Sequence, residues 1–413
     1  MPIVDPVPLG IYISIPFCRA KCTYCNFASG VFSAQRLHAY VARLCAEIED
    51  CRPRLANQGI QVPCRVDSIY FGGGTPSTLA PGQLRQVFDA LRRAFDVVSG
   101  AEITVECAPG QIDGDFLASA IAAGVNRVSL GVQSFIDAEA ATVGRRHTRT
   151  IGLEDRARLR DAGRSQINLD LVAGLPHQTA ESWRESLGAV LATDMPHVSV
   201  YMLDVDEDSR LGREMLSGGR KYGAQQTPEE DAIAAMYTEA CNALERGGLL
   251  QYEISNFARP GHASRHNLKY WDGAPYLGLG LDAHSCLPAP DGTECRIANP
   301  DGMDAYMAGA SASVESVSRA GQLEERWFLG LRRTCGVSWA AIHAEFGADA
   351  LEPFHAVVQA AADEGLLERE GGQVRLTSRG RLFANEVFAR FLGVAAQAMI
   401  TPQNNFEREM TIA

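Results

Sequence analysis

Apolar residues recur along this chain with two alternating periods. Ile11, Tyr12, Ile13 and Ile15 make a short strand, and Leu37, Val41, Leu44 and Ile48 then fall at helical spacing, giving a helix with one apolar face. The unit returns in kind: VDSIYF from Val66 predicts a strand, and Leu84, Val87, Phe88 and Leu91 a helix. AEITVE from Ala101 is followed by a helix around Phe116 to Ala123, VNRVSLGVQ by one around Ile151 to Ala162, and INLDLVAG by one around Ser182 to Leu191. HVSVYML, from His197, supplies a sixth strand.

Strands separated by helix-length segments call for a parallel α/β architecture, because parallel neighbours need long crossovers. Cys18, Gly72 to Gly74, Glu106, Gln133 and Asp170 all fall at or just past the C-terminal ends of successive strands. Several strands therefore feed one rim, as in barrel enzymes whose chemistry occupies that face. Six units predict a partial (β/α)6 barrel, open on one side, with an open doubly wound sheet as the alternative. The barrel is expected over residues 1–220, and a flanking segment rich in Gly, aromatics and histidine over 221–310. A C-terminal helical, winged-helix-like domain is expected over 311–395, with Gly371 and Gly372 turning a hairpin, and a tail over 396–413.

Composition narrows the class. The chain has 413 residues, 46% of them hydrophobic, and a formal net charge of −12, which argues against a general nucleic-acid surface. Its eleven cysteines cluster only once, unlike a secreted disulfide framework, and the start MPIVDPVPLGIYISIPF lacks the basic segment and apolar run of a signal peptide. A cytoplasmic protein is expected, its membrane contact at most peripheral, since no apolar run approaches the roughly 20 residues that span a bilayer.

The one cluster is CRAKCTYCNF, where Cys18, Cys22 and Cys25 are separated by three and two residues. Structural zinc is ordinarily held by four side chains, and no second pair follows. A redox pair would use Cys22 and Cys25 and leave Cys18 unexplained. A [4Fe-4S] cluster, which ordinarily takes four thiolates, fits better: three ligands leave one iron open to a substrate or cofactor.

The spacing C-x3-C-x2-C strongly resembles the radical S-adenosylmethionine (SAM) superfamily. That resemblance implies that SAM chelates the fourth iron and is cleaved, on one-electron reduction, to methionine and a 5′-deoxyadenosyl radical. GGGTPS follows the second strand and is similar to the glycine motif that receives the methionine end of SAM, here Gly72, Gly73, Gly74 and Thr75. In the coproporphyrinogen III oxidase-like branch, Glu106, Gln133, Arg145 and Asp170 match positions that contact SAM, with Asp170 a candidate for the ribose hydroxyls. Ala108 stands where that branch commonly has Asn, and Cys107 beside Glu106 reads as a small buried residue.

Further motifs, YEISNFARPG, RHNLKYW, YLGLGLDAHS and LTSRGRLFANEVFARFL, resemble the bacterial heme-chaperone subgroup, over about residues 9 to 392. Oxidases of the branch carry another cysteine where this chain has Phe27, and a longer extension before the cluster than the 17 residues here. Ser14 departs from the His frequent in chaperones. The resemblance implies a protein that binds heme, [4Fe-4S] and SAM and hands heme to respiratory membrane haemoproteins, with a homodimer and peripheral association at the inner membrane face. It implies His266 of HNLKYW as heme-iron ligand, ahead of His284 and His262. Alternatives are an oxygen-independent coproporphyrinogen III dehydrogenase and a radical SAM methyltransferase or cyclopropanase using two SAM molecules.

Overall fold

The computed structural model describes residues 7–289 and 291–395, and the expected tail at 396–413 lies outside them. Strand and helix alternate as the apolar periods predict: β1 (Leu9–Ile15), α1 (Ala34–Ala56), β2 (Arg65–Gly73), α2 (Pro81–Ala94), β3 (Asp96–Cys107), α3 (Gly114–Ala122) and β4 (Arg127–Gln133). Two helices, α4 (Asp137–Thr142) and α5 (Arg149–Asp161), lead to β5 (Gln166–Ala173), and α6 (Ala180–Ala192) leads to β6 (His197–Met202). Each strand from β2 to β6 pairs in parallel with its predecessor.

Side-chain parity sets the shape. Ile69 and Phe71 of β2 belong to the apolar core, with Phe71 packed on Phe88 of α2 at a ring separation of 5.0 Å. Alternate positions carry polar groups that bond to one another across strands: Tyr70 donates to Glu106 (2.8 Å), Asn168 to Ser199 (2.9 Å) and Ser129 to Asp170 (3.2 Å). Helix-covered parallel strands usually read as continuous apolar runs. Here the alternation survives because the inner face encloses a polar cavity. That cavity is bordered by Cys18, Gly73, Glu106, Gln133, Asp170 and Tyr201, one from the C-terminal end of each of the six strands or the loop after it. Laid flat, five inter-strand steps would spread those ends over about 24 Å, so the sheet curls into a partial (β/α)6 barrel.

Beyond α7 (Arg210–Leu216) and α8 (Glu230–Arg246), the sheet continues through short strands: β7 (Leu250–Gln251), β8 (Asn256–Ala258), then after α9 (Arg265–Trp271) β9 (Tyr276–Leu279), β10 (His284–Pro288), β11 (Glu294–Ala298) and, past α10 (Met303–Met307), β12 (Ser313–Val317). β9 joins the free edge of β1 in parallel and β8 joins β6 antiparallel. The result is one twelve-stranded sheet in the order β12, β11, β10, β9, β1 to β6, β8, β7, whose ends do not pair with each other among the described residues. Residues 221–310 thus extend the barrel sheet and share its core through Phe257, Leu277, Leu279 and Leu287. A second core, around Trp327, Phe354 and Phe391, begins with α11 (Arg319–Gly330). It holds α12 (Trp339–Phe346), α13 (Ala348–Asp363) and a small sheet of β13 (Val337–Ser338), β15 (Gln373–Leu376) and β14 (Leu367–Glu370). Gly371 and Gly372, at φ 58° and 81°, turn the β14–β15 hairpin, a winged-helix-like arrangement.

Candidate functional site

The cysteine loop leaves β1 and is fastened at several backbone points. Cys18 N–H donates to Gly30 O (2.9 Å) and Gly30 N–H to Pro16 O (2.9 Å), so the loop closes on its own base. Thr23 N–H donates to Val143 O (3.1 Å) in the turn after α4, and Leu211 N–H of α7 donates to Thr23 O (2.8 Å). The three thiols are free and half-buried, and all border the cavity, whose volume is ≈ 510 Å³. Among the described residues no three His, Cys, Asp or Glu side chains are gathered closely enough for a single metal ion. The three free thiols share one cavity, where thiolates of an iron–sulfur cluster could stand.

GGGT binds this loop to β2. Gly74 lies so close to β1 that an added Cβ would fall 2.6 Å from Ile15 O and 2.8 Å from Phe17 N, which only glycine permits. Gly73 has φ +93°, and a side chain there would strike Ser14 Oγ at 2.8 Å. At Gly72 a Cβ would press on the Glu106 carboxylate at 3.1 Å. Thr75 N–H donates to Phe17 O (2.9 Å), and its hydroxyl lies 3.5 Å from Cys18 Sγ. Gly73, Gly74 and Thr75 border the cavity, while Gly72 backs Glu106.

The polar rim is incompletely bonded. Glu106 accepts from Tyr70, but burial, then the neighbouring Asp170 charge, push its carboxyl up to about 7. Burial also raises Asp170, against hydrogen bonds from Ser199, Asn168 and Ser129. Arg145 sits on a turn held by the His147 ring, which bonds Val132 O at 3.1 Å. Burial disfavours its charge, and Tyr24, Cys22 and Asp170 around it more than compensate. Gln133 ends β4 where the register with β5 shifts, and it holds φ +70°, a strained value for a residue with a side chain. Gln133 and Arg145 border the cavity, and their buried Oε1 and Nε atoms have no hydrogen-bond partner. Unpaired buried polar atoms are costly. They fit a polar ligand bearing its own donors and acceptors, as the amino-acid and ribose ends of SAM do.

His266 lies elsewhere. It belongs to α9, at the opposite, N-terminal end of the strands, and is 1% exposed. Its Nδ1 is 3.0 Å from Ser68 Oγ and its Nε2 2.9 Å from Tyr270 hydroxyl, while its ring stacks on Tyr70 at 5.3 Å. Both nitrogens are engaged and neither borders the cavity, so a bond to heme iron requires this floor to rearrange. His284 is exposed, and His262 bonds Gln166 Oε1 at 2.9 Å. Neither borders the cavity among the described residues.

Sequence reasoning missed Tyr24, Ser129 and Tyr201, which border the cavity, and Tyr70, which orients Glu106. Period-two parity with Glu106 and Asp170 is the signal that finds Tyr70, Ser129 and Tyr201.

Comparison with known proteins agrees with this geometry. Residues 12–190 match the radical SAM superfamily and residues 317–383 the HemN C-terminal domain. Heme chaperone HemW of Bacillus subtilis (strain 168) is 34% identical over 389 residues, covering 92% of this chain and 98% of the relative. The chain belongs to the HemW family. HemW of Escherichia coli (strain K12) is 30% identical, covering 93% of this chain and 98% of the relative. The fold is also that of coproporphyrinogen III oxidase (HemN) from Escherichia coli, a radical SAM enzyme: TM-score 0.79 over 94% of this chain and 91% of that one, at 23% identity, a likeness of fold alone. HemW relatives align across both cores, so the C-terminal unit is part of the shared protein.

Proposed function

We propose that this chain is a heme chaperone that carries [4Fe-4S] on Cys18, Cys22 and Cys25, binds SAM in the barrel cavity, and delivers heme to respiratory membrane haemoproteins. One observation carries the SAM and cluster assignment: three free thiols border the same cavity as Gln133 and Arg145, whose buried Oε1 and Nε atoms have no hydrogen-bond partner. The heme assignment rests on the full-length HemW relatives. A three-thiolate cluster with SAM on its fourth iron supplies one-electron reductive chemistry.

The chain's own groups bind and orient. The backbone of Gly73 and Gly74 lets a ligand approach closely, and Glu106, with its carboxyl near neutral pH, takes hydrogen bonds from an ammonium group. Gln133 and Arg145 hold a carboxylate, and Asp170, preset by Ser129 and Asn168, takes ribose hydroxyls. In the closed floor His266 is a structural plug, both of its ring nitrogens taken by Ser68 and Tyr270. No helix among the described residues is long and apolar enough to cross a membrane, so contact with membrane acceptors is made from the surface. The family's homodimer belongs to the same reading.

Anaerobic reconstitution tests this. Wild type is expected to hold iron and sulfide that Cys22→Ala loses, to bind heme, and to pass it to an apo-haemoprotein. Conversion of coproporphyrinogen III to protoporphyrinogen with SAM and reductant would overturn the reading in favour of the oxidase.

A further inference from the structure

The mouth of the cavity carries a large apolar ring that packing does not account for. Phe27 is 63% exposed and borders the cavity. Its segment is nonetheless pinned: Lys21 Nζ donates to Phe27 O (2.9 Å), Ser29 N–H to the same oxygen (2.6 Å), and Asn26 Nδ2 to Asp206 (3.0 Å) in the segment after β6. A ring kept in water at a fixed place forgoes the burial that usually decides where phenylalanine sits. Tyr201, 42% exposed, and Met202 border the same cavity.

Two exposed cations are sequence neighbours of residues that border the cavity. Arg19 follows Cys18, and Arg146 follows Arg145 on the turn that packs against the cysteine loop through Thr23 and Val143. Both are exposed, and among the described residues neither makes a hydrogen bond or ion pair. Deeper in, the walls carry polar groups suited to a hydrophilic ligand, and His266 is closed off.

We propose that the heme binds at this mouth, its macrocycle face on Phe27 and bordered by Tyr201 and Met202, with its two carboxylates turned to Arg19 and Arg146. The site rests on the heme-chaperone reading and gives it a location. Aromatic rings meet a flat conjugated ligand in stacked or edge contacts, and guanidinium groups match carboxylates in geometry as well as charge.

The test is a heme titration of the full, anaerobically reconstituted chain, read in the Soret region. Phe27→Ala is expected to weaken binding about tenfold with iron and sulfide content unchanged. Phe27→Trp should keep the affinity, which separates loss of the ring from damage to the loop. The double variant Arg19→Ala/Arg146→Ala is expected to weaken binding about fivefold. Heme dimethyl ester, which has no carboxylates, should bind the double variant and wild type alike. Equal heme affinity of wild type and Phe27→Ala overturns the mouth site and leaves the chaperone reading standing. A wild type that binds no heme removes that reading and the site together.

Discussion

The two ends of the barrel bury similar residues and treat them in opposite ways. At the floor the Glu102 carboxylate accepts from Ser264 Oγ (3.2 Å) and from the N–H groups of Arg265 (3.1 Å) and His266 (3.0 Å), with Arg127 3.8 Å away. Lys269 reaches Asp67 at 2.8 Å and Pro8 O at 2.7 Å. At the rim Gln133 and Arg145 are left with unpartnered atoms, and Gln133 holds a strained backbone besides. At these two places the hydrogen bonding of buried polar groups differs: Glu102 and His266 are engaged at the floor, whereas Gln133 Oε1 and Arg145 Nε keep no partner at the rim.

The comparison breaks most easily at Glu102. Glu102→Ala strips the N-terminus of α9 and leaves Arg127 buried without its carboxylate, so a loss of about 3–5 kcal/mol is expected in urea unfolding. A loss under about 1 kcal/mol, the usual worth of an exposed pair, would show that the floor is not held this way.

The two ends should also titrate with opposite signs. Burial, then the Lys269 charge, lower His266 from 6.5 to about 3, so the folded state binds fewer protons than the unfolded chain between those values. Its contribution is complete above pH 6.5 and is lost as pH falls toward 3. Glu106 is raised from 4.5 to about 7, so its contribution is complete below pH 4.5 and is lost as pH rises through 7. His266→Gln should therefore flatten the acid limb of the stability–pH curve of the cluster-free protein, and Glu106→Gln the limb toward neutrality. Parallel changes in both variants would mean that the ends do not differ electrostatically.

A smaller effect sharpens the contrast at the rim. Releasing Gln133 from positive φ in Gln133→Gly should stabilise the cluster-free protein by about 1 kcal/mol, while SAM binding, read by equilibrium dialysis, weakens. A variant that loses stability and binds SAM normally would place Gln133 with the structural groups.

Much of the cavity was readable in the chain because parallel strands deliver their C-terminal ends to one rim. Residues just past those ends meet whatever their separation, which is why Cys18, Cys22, Cys25, Gly74, Thr75, Glu106, Gln133, Arg145 and Asp170 came together. The position of His266 was not readable, for the converse reason. A histidine among aromatics in HNLKYW reads as a ligand, but nothing in the motif says at which end of the barrel its short helix docks. The strands from β7 to β12, two to five residues each, have too little period to announce that they extend the sheet.

By itself, then, the sequence determined the order of strands and helices, the grouping of three thiols and the polar character of the rim, because these follow from local period and spacing. Only the tertiary structure decided which of the buried polar groups are satisfied. It also decided that His266 closes the floor and that Phe27 stands open at the mouth. Those are properties of partners brought together from distant segments, and local pattern carries no record of them.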